Sequence, residues 1–152
     1  MPETRGIYVL IIYLGKTRKI EVGSLGLLTF KKGFYVYVGS AQNSLEKRIA
    51  RHFRKYKRFF WHIDYLLGDE YTEIVDVLFK EAPKSEECRL ARTLSSLYEP
   101  VRGFGSSDCK CSSHLFKIDE HEEIEMLLRG FELNFFLGEN RSILDNFPHR
   151  ES

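Results

Sequence analysis

The sequence predicts an α/β domain, a small sheet flanked by helices, and three observations carry that prediction. Apolar and alternating runs of strand type fill the first part of the chain. Two later segments, 44–56 and 85–98, repeat their apolar residues at helical spacing. Between and after them, strand and helix patterns alternate. The chain has 152 residues, 43% of them hydrophobic, which suits one domain, or one with a small extension, and a proper core.

Each element follows from its residues. Gly6–Leu14 is apolar at every second position on both faces, Ile7, Val9 and Ile11 on one and Tyr8, Leu10 and Ile12 on the other, as a central strand requires. "TRKIEV" (17–22) and "GLLTF" (26–30) form a hairpin around Gly23 and Gly26 and lead into a strand over 34–38, where Tyr35 and Tyr37 share a face. Asn43, with Glu46 three residues later, caps a helix running to about residue 56. "FFWHIDYLLG" (59–68) reads as a short buried helix ended by Gly68, in which His62 and Asp64 are satisfied core groups rather than ligands. "EIVDVLFKE" (73–81) alternates as a strand, Ser85 caps a helix to about residue 98, and "SSHLFKI" (112–118) is a late strand. Asp119 with Glu122 opens a helix that ends at Gly130. The division is a domain over 1–118 and a C-terminal helical extension, 119–152, packed on it.

The net charge of +1 conceals a polarised chain. Residues 1–60 carry 13 Lys and Arg against 3 Asp and Glu, or +10, and residues 61–152 carry 10 against 19, or −9. Such a division suits a polyanionic partner for the first part, or two parts that neutralise each other. The apolar run 7–14 is too short to span a bilayer and is followed by no cleavage pattern. Three cysteines cannot close a disulfide framework, so a reduced, cytoplasmic protein without membrane attachment is expected.

On a helical wheel, Leu45, Ile49, Phe53 and Tyr56 form the core stripe of the first helix, and Lys47, Arg51, Arg54, Lys55 and Arg58 cover the other side. That surface can track phosphates, or it is a solvated face. Arg48 and His52, four residues apart, lie on the border, where a guanidinium either reaches a cleft beside the sheet or snorkels along the core edge. In the 85–98 helix Glu87 falls in the middle of the apolar stripe formed by Leu90, Ala91, Leu94 and Tyr98. An unpaired buried carboxylate is costly, so Glu87 either holds a cation or tilts to solvent. Tyr8 and Tyr37 are core phenols or cleft residues on the same grounds. Cys109, Cys111 and His114, with Cys88 nearby, could give zinc four soft ligands, but C-x-C chelates poorly and Cys88 is remote in sequence, so the spacing favours reduced thiols over structural zinc. Asp108 either joins a metal's outer shell or caps a turn.

In order and type, "GIY" (6–8), "YVG" (37–39), "SLEKRIARHF" (44–53) and "ECRLA" (87–91) resemble the GIY-YIG nuclease superfamily. With "FWHIDYLL" and "GFGSSDCKCSSHLF", the chain to about residue 118 looks like its archaeal Uri-type branch. The resemblance implies a small, mostly antiparallel central sheet flanked by helices, with an extra hairpin between the GIY and YIG strands. It implies a metal-dependent endonuclease that hydrolyses DNA phosphodiesters, with one Mg²⁺ or Mn²⁺ held through Glu87. Tyr8 and Tyr37 would face the scissile phosphate, Arg48 would neutralise developing charge, and His52 would contact phosphate or assist proton transfer. Ser40 stands where repair-type relatives carry lysine, and "GSSDCKCSSH" replaces a common asparagine segment. A single site nicks one strand per copy, in a monomer or homodimer. Nothing in the sequence reads a 2′-hydroxyl, which leaves RNA open beside DNA. Two other readings stand: a catalytically silent nucleic-acid-binding module of the same fold, and an interaction domain whose acidic half covers the basic face.

Overall fold

The computed structural model describes residues 4–107 and 109–136; the expectations placed on Asp108 and on 137–152 lie outside the described residues. Strand β1 (Gly6–Leu14) runs between β4 (Gly33–Ala41) and β5 (Thr72–Glu81), antiparallel to both. β7 (Leu115–Ile118) and β6 (Glu99–Pro100) extend the β4 edge, and β8 (Asn134–Phe135) extends the β5 edge. The six-stranded sheet has the order β6-β7-β4-β1-β5-β8. β2 (Arg18–Glu21) and β3 (Leu27–Phe30) pair separately as the hairpin inserted between β1 and β4. Gly23 and Gly26, at φ +46° and +77°, take the left-handed turns that join its strands.

The two-faced apolar pattern of β1 dictates a three-layer arrangement. Tyr8, Leu10, Ile12 and Leu14 pack against α1 (Leu45–Phe53), α2 (His62–Leu67) and hairpin residues Val22 and Phe30. Ile7, Val9 and Ile11 pack against α3 (Ser85–Leu97) and α4 (His121–Gly130), through Leu90, Leu94, Ile124 and Leu128. Each fully buried aliphatic side chain contributes about 1.5–3 kcal/mol. β1 is thus the most constrained strand, and its residues are the best fixed points for a site.

Several expected boundaries move for local reasons. Ser44, not Asn43, caps α1: its hydroxyl accepts the Lys47 N–H at 3.2 Å. Glu46 does not close a capping box; it binds the N–H and hydroxyl of Thr4 at 3.2 and 2.9 Å, tying the start of β1 to the helix. The helix ends at Phe53 because Arg54 turns extended and Lys57 Nζ reaches back to the carbonyls of Arg51, His52 and Arg54 at 3.1, 3.3 and 2.6 Å. Tyr56, assigned to the core stripe, is therefore 98% exposed. Ser85 is the first helical residue of α3 after the N-cap Lys84, and α4 begins after Glu120 rather than Asp119.

Candidate active site and the basic helix

Tyr8 and Tyr37 come from adjacent strands. In the β1–β4 register Tyr8 faces Gly39 and Leu10 faces Tyr37, so the two phenols are diagonal neighbours on one face, with ring centroids 6.4 Å apart. Gly39 is required by this packing: a Cβ there would lie 2.3 Å from Cζ of Tyr8. The bare glycine lets the Tyr8 ring lie across β4 and reach α1, where its hydroxyl meets His52 Nε2 at 2.6 Å.

Four elements then converge on one cleft of about 560 Å³. β1 brings Tyr8, β4 brings Tyr37 and Ser40, α1 brings Arg48, and α3 brings Glu87; Trp61, His62, Lys84 and Gly105 complete the walls. Arg48 donates to the Ser40 carbonyl at 3.0 Å and stacks on the Trp61 ring, 4.2 Å from its centroid. Both contacts immobilise a partly desolvated guanidinium, which raises its worth to a bound anion. Glu87 is buried at the first turn of α3, 8% exposed, with Oε2 at 3.2 Å from His114 Nδ1. Its neighbour Glu86 is held on the surface by Arg89 and Lys80, whose hydrogen bonds draw its carboxyl down to about 2. Among the described residues lining the cleft, Glu87 is the one carboxylate.

Burial pushes the Tyr8 phenol well above its ordinary value, against the opposing charge of Arg48. Tyr37 is raised too, by burial and then by Tyr8 and Glu87. Burial, then the charge of Lys57, draws His52 down to about 3. At neutral pH the trio is therefore two neutral phenols and a neutral imidazole. His52 Nδ1 is buried without a hydrogen-bond partner among the described residues. His114 is raised: burial lowers it, but contacts with Glu87 and then Cys109 outweigh that.

The residues expected at the site divide into three groups. Tyr8, Tyr37, Arg48 and Glu87 line the cleft, and His52 stands behind Tyr8, 1% exposed. Lys47, Arg54 and Arg58 are exposed on or just beyond α1. Arg51 and Lys55 do not present their charge as the wheel implies. Arg51 binds both oxygens of fully buried Asp64 at 2.8 and 2.9 Å, and Lys55 Nζ donates to the Leu67 and Asp69 carbonyls at 3.0 and 2.7 Å. Burial alone would raise Asp64, but Arg51 and the N–H groups of Trp61 and Phe60 hold it below its usual value. Asp64 is thus a satisfied core group, whereas His62, expected in the core beside it, is half-buried in the cleft wall, where its Nδ1 accepts the Gly105 N–H at 2.9 Å. Sequence reasoning missed Trp61, Lys84, Ser40 and Gly105. Lys84 stood three residues before Glu87, a readable helical spacing. Trp61 had no such signal, because only the fold brings α2 back across α1.

The chain belongs to the family described as "Domain of unknown function DUF123", whose model matches residues 7–134. That span contains every residue lining the cleft. No curated protein and no solved structure matches the chain. Among the described residues, no helix is long and apolar enough to cross a membrane.

Proposed function

We propose that the protein is a GIY-YIG-type, divalent-cation-dependent endonuclease that hydrolyses phosphodiester bonds in DNA. One observation carries this reading: two tyrosines, an arginine and a carboxylate, scattered over 80 positions from Tyr8 to Glu87, line one cleft beside a basic helix. The four motif segments supply the same residues in the same order.

The donor set fits a hard cation. Glu87 brings a buried carboxylate to the cleft, and one carboxylate plus water and phosphate oxygens is a common way to hold Mg²⁺ or Mn²⁺. When bound, such an ion lends Lewis-acid polarisation and stabilises charge on the leaving oxygen. The remaining chemistry belongs to the chain. Arg48, anchored by Ser40 and Trp61, stabilises the negative charge that grows on the phosphoryl oxygens. Tyr8 and His52 Nε2 share a 2.6 Å hydrogen bond; in the tautomer with the proton on Nδ1 the phenol donates to Nε2, and its oxygen is then able to accept a hydrogen bond from the attacking water. A neutral imidazole of low basicity stores no proton, so transfer from water through Tyr8 to His52 is productive only in concert with attack. Tyr37 remains protonated and donates to a phosphate oxygen.

Supercoiled plasmid and labelled duplex, flapped and single-stranded DNA, incubated with Mg²⁺, Mn²⁺ or EDTA, test the proposal. Cation-dependent nicking that Glu87→Ala abolishes is expected. Cleavage that survives in Glu87→Ala, or salt-sensitive DNA binding with no cleavage at all, would sink it; the second result makes the chain a binding module.

A further inference from the structure

We propose that Cys88, Cys109, Cys111 and His114 bind a structural zinc ion that fastens the 101–114 loop to α3 and orients Glu87 through His114. The ligand atoms of these four side chains all lie within 4.8 Å of one another. In a tetrahedral site with Zn–S about 2.3 Å and Zn–N about 2.0 Å, neighbouring ligand atoms stand roughly 3.5–3.8 Å apart. The Cys109 Sγ to His114 Nε2 distance is 3.4 Å, so modest side-chain movement completes the polyhedron. All three cysteines are free thiols.

The orientation of His114 supports the assignment independently. Its Nδ1 faces the Val38 carbonyl and Glu87 Oε2, both at 3.2 Å, and neither can donate. Nδ1 therefore carries the hydrogen, and the lone pair of Nε2 is left for the thiol cluster. A ligating imidazole whose other nitrogen donates to a carboxylate is the usual outer support of a zinc site. Three sulfurs and a nitrogen form a soft donor set that selects zinc over Mg²⁺ or Mn²⁺, so this site and the Glu87 carboxylate suit different ions.

The loop also needs a fastening. Its described residues between Pro100 and Leu115 form no helix or strand, yet this stretch supplies Gly105 to the wall of the cleft. Phe104, fully buried, and the pair of backbone bonds Gly103 N to Ser112 O and His114 N to Phe104 O, each 2.8 Å, anchor the loop's base. The outer turn with Cys109 and Cys111 meets Cys88, on α3, as a further point of attachment. The weak C-x-C chelate is thus completed by residues that the fold, not the spacing, brings to it.

The zinc site does not depend on the nuclease reading; only the link to Glu87 does. Full-length chain, purified without chelator, is analysed for metal by atomic emission, then reloaded with Co²⁺. One zinc per chain is expected, together with the intense tetrahedral visible bands and thiolate charge transfer of a Co²⁺–sulfur site. Cys88→Ser should lose most of the metal and shift those bands, while excess Mg²⁺ should displace none. Glu87→Gln should keep its zinc yet lose DNA cleavage, so failed cleavage and failed zinc binding are separate results. Zinc far below one per chain with Co²⁺ giving no thiolate band would overturn the site, as would full zinc and an unchanged spectrum in both Cys88→Ser and Cys109→Ser. If Cys88→Ser does not fold, protection of wild-type thiols from alkylation by added zinc decides the matter: slower alkylation with zinc supports the site, and equal rates with and without it reject it.

Discussion

Arg48 and Arg51 stand one turn apart on α1, and both guanidinium groups lie over the Trp61 ring, 4.2 and 4.4 Å from its centroid. Their partners set them apart. Arg51 is consumed by the fold, both oxygens of a buried carboxylate being bound to it, with a further bond to the Arg58 carbonyl at 3.1 Å. Arg48 is held by a backbone carbonyl and the ring, and its charge faces the cleft with no carboxylate bound to it among the described residues. Two like residues on one helix thus have different surroundings: one neutralises the protein's own buried charge, and the other, in the proposed reading, meets a charge from outside. A helical wheel cannot separate them, because the separating residue, Asp64, arrives from another helix.

The largest expected effect comes from exchanging these fates. Arg51→Ala leaves the Asp64 carboxylate buried and unpaired and should cost on the order of 3 kcal/mol of stability. Arg48→Ala strands no buried charge and should change stability by less than about 1 kcal/mol, while lowering DNA cleavage by roughly 10²–10³. Urea denaturation and nicking rates measured on both variants check the contrast. Equal stability losses would show that Arg48, too, is a structural residue.

What the sequence revealed about these positions follows from how local each cause is. The apolar faces of β1 are a local pattern, and the central strand, the inserted hairpin and the flanking helices were legible from such patterns. Glu87 was legible because a charge on an apolar stripe is anomalous within its own helix. The end of α1 was not, since Lys57 caps it from beyond the helix and exposes Tyr56. The internal use of Lys55 and the approach of Cys88 to Cys109 and Cys111 are contacts across the fold, invisible to spacing alone.

His52, one turn beyond Arg48, sharpens the comparison through pH. Its folded value of about 3 lies below the ordinary 6.5, so between those values the unfolded chain binds the extra proton. Stability should therefore fall as pH drops below about 6.5, at roughly 1.4 kcal/mol per unit, or about 2 kcal/mol by about pH 5. In His52→Gln that slope should be much shallower, with only the smaller share of His62, also lowered by burial, remaining, which urea titrations at neutral and mildly acidic pH would detect. An equally steep slope in the variant would assign the acid sensitivity to another group.

The smallest effect concerns the charge that neither the fold nor the cleft uses. Arg54 and Arg58 are exposed at the end of α1, where flanking phosphates would pass if Arg48 meets the scissile one. Replacing both with Ala uncovers no buried partner, so stability should stay within about 0.5 kcal/mol of wild type. Each phosphate deprived of its arginine should reduce the slope of log affinity against log salt by about 1, so the double variant should bind duplex DNA with a slope shallower by about 2. Fluorescence anisotropy across a salt series in EDTA reads this without cleavage. An unchanged slope would move the DNA track to the Lys84 side of the cleft, leaving Arg54 and Arg58 as a solvated face.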